Sequence, residues 1–288
     1  MGVLLLFFDG VGIGPPNPEH NPITALKNQP FPVAGEPYSF REGILVPTDP
    51  TLGVEGLPQS ATGQTTILTG RNAARVEGRH VTAFPTVKLR RLLTDHSLLK
   101  QVKAAGARPA FANAYHPRYF LRRETRYSAS TWSWLAAGID YHTVADLQRG
   151  TAVSHDLTNR FMNQFGYLVP LRRPGQAGRI LAGMLERYDF VLFEYILTDR
   201  CGHRQDMEGA RYRLHQIREM ITALLDAIDL QSHTVLLTSD HGNVEDLSTH
   251  THTMHRVPTL LWGKHADIMG SAIRSIRDIT PAILGEFS

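Results

Sequence analysis

The sequence predicts an α/β protein built on a doubly wound, mostly parallel sheet with helices on both faces and a small insert. Three observations carry that expectation. Apolar runs of strand length recur near residues 3–8, 109–114, 189–195, 234–238 and 258–262, and strands buried on both faces read as continuous apolar runs rather than alternating ones. Helical stretches lie between them, which is the alternation a parallel sheet needs for its crossovers. With 288 residues, 42% hydrophobic and 20% charged, the chain can bury a full core.

Composition narrows the partners. A net charge of +3 is mild and gives no case for nucleic acid. One cysteine rules out an internal disulfide framework and suits a reducing compartment. The run from Val3 to Phe8 has no basic flank and is broken at once by Asp9-Gly10, so it reads as neither signal peptide nor membrane span. A cytoplasmic protein with no membrane partner is expected.

The first strand ends in Asp9-Gly-Val-Gly-Ile-Gly14. A dinucleotide fingerprint would need glycine at position 15, where the chain has Pro15, so what remains is an acid in a flexible turn at a strand end. Residues 15–50, rich in Pro and Asn, read as a loop over the site with one short helical piece near Ile23 to Lys27. The stretch Leu57-Pro-Gln-Ser-Ala-Thr-Gly-Gln-Thr-Thr-Ile-Leu-Thr-Gly-Arg71 places small hydroxyl residues before a short apolar helix. A hydroxyl at a helix N-terminus faces free N–H groups and the positive dipole end; Ser60 and Thr62 are both candidates to meet an anion there, or simply to cap the helix.

Residues 71–91 are basic and helical, a further helix spans 97–105, and the strand at 109–114 follows. The arginine-rich segment His116-Pro-Arg-Tyr-Phe-Leu-Arg-Arg-Glu-Thr-Arg126 contains Arg118, Arg122 and Arg123 as candidates for gripping the non-reacting part of a substrate, against the alternative of a solvated basic face. Residues 127–173, with Trp132 and Trp134, look like a small cap or insert, leaving 1–126 and 174–288 as the core. The tryptophans read as core residues rather than a substrate platform.

An amphipathic helix at 175–188 and a strand at 189–195 lead to Asp199-Arg-Cys-Gly-His203, where an acid and a histidine four apart can meet one metal from a single turn. Cys201 between them, with no second thiol, reads as a bystander. A long helix at 207–228 returns the chain to Thr234-Val-Leu-Leu-Thr-Ser-Asp-His-Gly-Asn243, a buried strand delivering Asp240 and His241 at its carboxyl end. Then come His250, His252 and His255, the strand at 258–262 and a closing helix at 278–287. Three acids, Asp9, Asp199 and Asp240, thus each follow a strand. Collected at one sheet edge they repel, and two divalent cations about 4 Å apart would turn that repulsion into attraction.

These residues carry a resemblance. Asp9-Gly-Val-Gly12, the stretch ending Ile67-Leu-Thr-Gly-Arg71, Asp199-x-x-x-His203, Ser239-Asp-His-Gly-Asn243 and His252 six residues before Pro258 together resemble the two-metal core of the alkaline phosphatase superfamily. The likeness is greatest to cofactor-independent phosphoglycerate mutase and phosphopentomutase. It implies an alkaline-phosphatase-like core in which Asp9, Asp240, His241 and Ser60 hold one metal and Asp199, His203 and His252 the other. It also favours Ser60 over Thr62 as nucleophile, because Ser60 stands three residues before Gly63, and His252 over its neighbours, because of the following Thr253 and Val257-Pro258. The chain departs from the mutases in having Gln64 where they have histidine, and it lacks room for their large phosphotransferase insert.

The resemblance therefore implies a phosphoryl-transfer enzyme hydrolysing a small phosphate ester through a phosphoserine, with a phosphomutase or phosphodiesterase as alternatives. A catalytically silent metal-binding protein is the non-enzyme alternative; its mark would be a missing ligand or nucleophile, and none is missing. Three carboxylates and three histidines suit zinc and manganese alike.

Overall fold

A computed structural model describes residues 2–287. In chain order its elements are β1 (Gly2–Phe8), β2 (Ile44–Thr48), α1 (Ser60–Thr69), α2 (Ala73–Glu77), α3 (Val87–His96), α4 (Leu98–Ala104), β3 (Pro109–Phe111) and β4 (Ala114–Tyr115). Next come α5 (Ala129–Ala137), β5 (His142–Thr143), α6 (Val144–Arg149), α7 (Arg160–Gln164), α8 (Pro174–Met184), β6 (Phe190–Tyr195) and α9 (Leu197–His203). The chain continues through α10 (Met207–Ala227), β7 (His233–Thr238), β8 (Val257–Gly263), α11 (Ala266–Ala272) and α12 (Ile279–Leu284).

Six strands form one sheet in the order β2-β8-β7-β1-β6-β3. The four strands β7, β1, β6 and β3 are mutually parallel, while β8 runs antiparallel to both of its neighbours. Register puts Leu5 opposite both Leu192 and Leu236. Alternate residues then face opposite sides, and both sides are buried. Leu4, Leu6 and Phe8 pack with Leu181 of α8 and with Leu214 and Ile221 of α10. On the other face Val3, Leu5 and Phe7 join Ile67 of α1, Val102 of α4 and Ile283 of α12. This double burial is why the strands are apolar at most positions, and the arrangement is the doubly wound α/β sheet expected.

Two expectations change. Residues 15–50 are not a loop over the site. They run along the sheet, where Phe31 and Phe40 are buried in the core, Phe31 meets Phe8 edge-on at 5.5 Å, and the segment ends as edge strand β2. Pro47 is tolerated there because an edge strand has one unpaired side. The segment 127–173 also divides. α5 packs with α3 and α4, and its Trp134 is buried in the main core, so only the remainder forms a small unit. That unit sits on the two-stranded β4–β5 sheet around Leu147, Ala152, Met162 and Val169.

Phe31→Ala tests the first change. Removing a fully packed ring should cost about 3–5 kcal/mol of unfolding free energy, read from urea denaturation. A loss below about 1 kcal/mol would mean that the segment lies loosely over the surface.

Candidate metal centre

The carboxyl edge of the parallel strands collects the charged residues. Asp9 directly follows β1, Asp240 follows β7 by two residues, and Asp199 lies in the first turn of α9, just after β6. His241 is fully buried among them, its Nε2 3.3 Å from Asp9 Oδ1, 3.4 Å from Asp240 Oδ2 and 2.9 Å from Ser60 Oγ. Across the cluster, Asp199 places one oxygen 3.4 Å from His203 Nε2 and the other 3.6 Å from His252 Nε2. The His241 and His252 rings stack with centroids 3.6 Å apart. Two compact sets of donor atoms result, Asp9–Asp240–His241 and Asp199–His241–His252, each within 4.8 Å. His203 sits at the solvent edge, its side chain 47% exposed, yet its Nε2 lies 3.2 Å from that of His252.

The donor set fits divalent cations. Asp9 Oδ1 and Asp240 Oδ2 are buried without any hydrogen-bond partner, an expensive arrangement unless a cation faces them. Burial and then the neighbouring carboxylates raise the Asp9 carboxyl well above its ordinary value, and burial followed by Asp199 does the same to Asp240. Burial and the adjacent His241 push His252 down to about 4. Burial opposes charging His241 too, but Asp9 overcomes it and raises the imidazole. Backbone carbonyls orient two of the rings. His252 Nδ1 lies 2.8 Å from the Pro58 carbonyl and His203 Nδ1 2.8 Å from that of His250. With Nδ1 donating, each Nε2 lone pair faces inward as a metal ligand requires.

Helix α1 brings Ser60 here. The helix is buried along nearly its whole length, so its threonines satisfy themselves internally: Thr65 and Thr69 donate to the carbonyls four residues back. Gly63 allows the close approach, since a Cβ there would stand 2.8 Å from Asp240 Cβ. Thr62 is fully buried, its hydroxyl donating to the Gln59 carbonyl and accepting from Val81 N–H, so only Ser60 of the two candidates presents its oxygen to the cluster. Gln64 donates to Asp9 Oδ2 at 3.1 Å, on the side away from the unpartnered Oδ1.

The loops themselves are tied by a residue that sequence reasoning missed. Glu245 is fully buried and accepts from Gly12 N–H (2.8 Å), Asn243 N–H (2.7 Å), Thr253 Oγ1 (2.5 Å) and His255 Nδ1 (3.0 Å). Burial opposes its ionisation, but the hydrogen bonds from His255 and Thr253 win and hold the carboxyl below its ordinary value. His255 is thus committed to Glu245 rather than to the metal cluster, and the His250 side chain is exposed. Gly12 is glycine because any Cβ would collide with Glu245 Oε1 at 2.3 Å. Asn243 Nδ2 donates to Asp199 Oδ1 at 2.7 Å, so the strand-end loops that carry the acids are cross-linked.

A cavity of about 550 Å³ opens from Asp9, Ser60 and Asp199 toward Tyr115, Arg118 and Arg122. Arg122 lies over the Tyr119 ring at 4.5 Å. Arg123, the third candidate, does not line this cavity; Arg126 does instead. Arg118 and Arg126 lie in two short 3-10 turns and Arg122 in the link between them, and their even spacing of four residues in the sequence was the available signal. Glu194, at the end of β6, also faces the cavity; burial pushes its carboxyl up to about 7, and Ser130 donates to it at 2.7 Å.

With this geometry in place, the comparisons with known proteins fall into line. The family model described as Metalloenzyme superfamily matches residues 174–287, the segment holding Asp199, His203, Asp240, His241 and His252. The whole chain superposes on alkaline phosphatase from the Antarctic bacterium TAB5 with a TM-score of 0.58 at 13% identity, covering 100% of this chain and 98% of that one. The fold is alkaline-phosphatase-like. A Pyrococcus horikoshii protein gives a TM-score of 0.60 at 16% identity, covering 99% of this chain and 96% of that one. In sequence, a stretch of the chain is 30% identical over 108 residues to 2,3-bisphosphoglycerate-independent phosphoglycerate mutase of Desulforudis audaxviator. That match takes in 35% of this chain and 21% of the mutase, so the chain spans about a fifth of that relative's length. No helix among the described residues is long and apolar enough to cross a membrane.

The raised carboxyls set a pH-dependent stability. In the metal-free fold Asp9 and Asp240 hold protons that the unfolded chain has already released, so the stability they contribute is present below the ordinary carboxylate range. It is lost as pH rises through their raised values. Bound cations remove that loss. Chelation should therefore lower Tm by on the order of 10 °C at pH 8 and by less at pH 5, measured by differential scanning fluorimetry. An unchanged Tm at pH 8 would contradict the metal assignment.

Proposed function

We propose that the chain is a metal-dependent phosphoryl-transfer enzyme that hydrolyses a phosphate ester through a phosphoserine at Ser60. The observation that carries this reading is the Ser60 hydroxyl. It is the first residue of α1, at the positive end of a buried helix, and stands 2.9 Å from His241 inside the acid–histidine cluster. Asp9, Asp240, His241 and Ser60 would hold one ion, and Asp199, His203 and His252 a second, with zinc and manganese the suited metals. When bound, divalent ions there would acidify the serine hydroxyl and the attacking water and offset the charge of the transferring phosphoryl group.

Ser60 Oγ attacks phosphorus, so the Oγ–P bond forms as the bond to the leaving alcohol breaks and the alcohol departs protonated. Water then attacks the phosphoserine from the face opposite Oγ, releasing inorganic phosphate and restoring the serine hydroxyl. Arg118, Arg122 and Arg126, on the cavity wall, would orient the part of the substrate that does not react. Asn243 and Glu245 act through the residues they position. Hydrolysis is favoured over transfer within a substrate because, between Ser60 and Asp199, the described residues add only the small β4–β5 unit to the core, with no second domain to shield a phosphoserine from water.

Ser60→Ala should keep metal bound but lower turnover of aryl phosphates at least about a thousandfold, whereas Thr62→Ala should be much milder in kcat. Two in-line displacements invert phosphorus twice, so a chirally labelled ester should react with net retention. Inversion, or near-normal activity in Ser60→Ala, would exclude the phosphoserine route while leaving the metal centre untouched.

A further inference from the structure

Next to the catalytic cavity is a second one of about 300 Å³, lined by Arg200 and Cys201 of α9 and by Arg204 just after it. His155, Phe161 and Arg200 line both spaces, so the two adjoin. Four arginines from three separate segments, Arg160, Arg200, Arg204 and Arg213, converge on the smaller chamber with two acids, Asp156 and Asp206.

Both acids are already engaged. Asp156 accepts from Ser154 Oγ and Thr158 Oγ1, each at 2.6 Å, and from the Phe161 N–H at 3.1 Å. Asp206 caps α10, accepting from the Gly209 N–H at 2.9 Å. None of the four guanidinium groups has a carboxylate within 4.0 Å among the described residues, where the arginine ion pairs are those of Arg41, Arg108, Arg149 and Arg277. Arg213 alone has a hydrogen bond, to Gln216 Oε1 at 3.0 Å, and it lies over the Tyr212 ring.

Four guanidiniums against two carboxylates already engaged elsewhere leave the concavity positively charged, and an anion would relieve the repulsion among them. Their planar forks match the oxygens of a phosphate. We propose that this chamber binds a phosphate-type dianion beside the catalytic cavity. The anion is either a second phosphate of the substrate or free phosphate. The site stands on its own residues and does not require the serine mechanism.

The test is phosphate stoichiometry, measured by equilibrium dialysis of labelled inorganic phosphate on metal-loaded protein. Arg160 and Arg204 are exposed on the rim, so Arg160→Gln combined with Arg204→Gln should leave Tm unchanged and remove one phosphate per chain relative to wild type. Arg204→Lys, which keeps the charge, should retain that phosphate with about tenfold weaker binding. Equal phosphate counts in wild type and double variant would overturn the proposal. If the metal centre fails as a phosphate site, the counts drop from one to none instead of two to one, and the difference of one still supports the chamber. Alkanediol bisphosphates of increasing length identify the source. A preference in kcat/KM of about tenfold over the matching monophosphate at one length, lost in the double variant, assigns the chamber to the substrate. The same stoichiometric loss with no length preference assigns it to free phosphate.

Discussion

Three carboxylates converge at one edge of a parallel sheet, two of them with a buried oxygen that makes no regular hydrogen bond and is approached by the one shared His241 Nε2, and the rest of the structure is arranged around that charge. Parallel strands all end on the same side, so an acid placed after each of β1, β6 and β7 is brought to one point by topology alone. The cost is mutual repulsion in a buried space, seen in the raised carboxyls of Asp9 and Asp240. Histidines whose Nδ1 atoms are held by backbone carbonyls turn their free nitrogens to the same point. A cluster of this kind is stable at neutral pH with cations in it and poorly stable without them.

Holding those ligands in place falls to residues that touch no phosphate in the proposed reaction. Glu245 bonds the loop after β1, the loop after β7 and the segment following His252 to one another. Such a buried carboxylate is stable only because every one of its partners donates to it, so the loops behave as one piece. Gly12 and Gly63 serve the same end, letting Glu245 and α1 come close enough to seat the donors. The glycines near the N-terminus thus have a packing role in place of the nucleotide-binding one that their spacing superficially suggests.

How much of this was legible follows from the same physics. The central strands were readable because burial on both faces removes polar residues from most positions, and the acids and histidines stood out because they end those runs. β2 was missed because an edge strand is half exposed, short and contains Pro47, so neither period nor composition marks it. α5 was read with the insert, although its tryptophan-bearing face packs into the main core. Glu245 resembles any loop acid until its four donors are in view. Arg126 in place of Arg123, and the four arginines of the second chamber, depend on turns and on contacts across more than fifty residues of chain, which no local pattern encodes.

The central claim is that the acid–histidine cluster is a two-cation centre, and anomalous diffraction from crystals of protein loaded with manganese or zinc addresses it most directly. Two peaks are expected, one among Asp9, Ser60, Asp240 and His241 and one among Asp199, His203 and His252. A single peak, or an ion held by His250 or His255 in place of His252, would contradict the account.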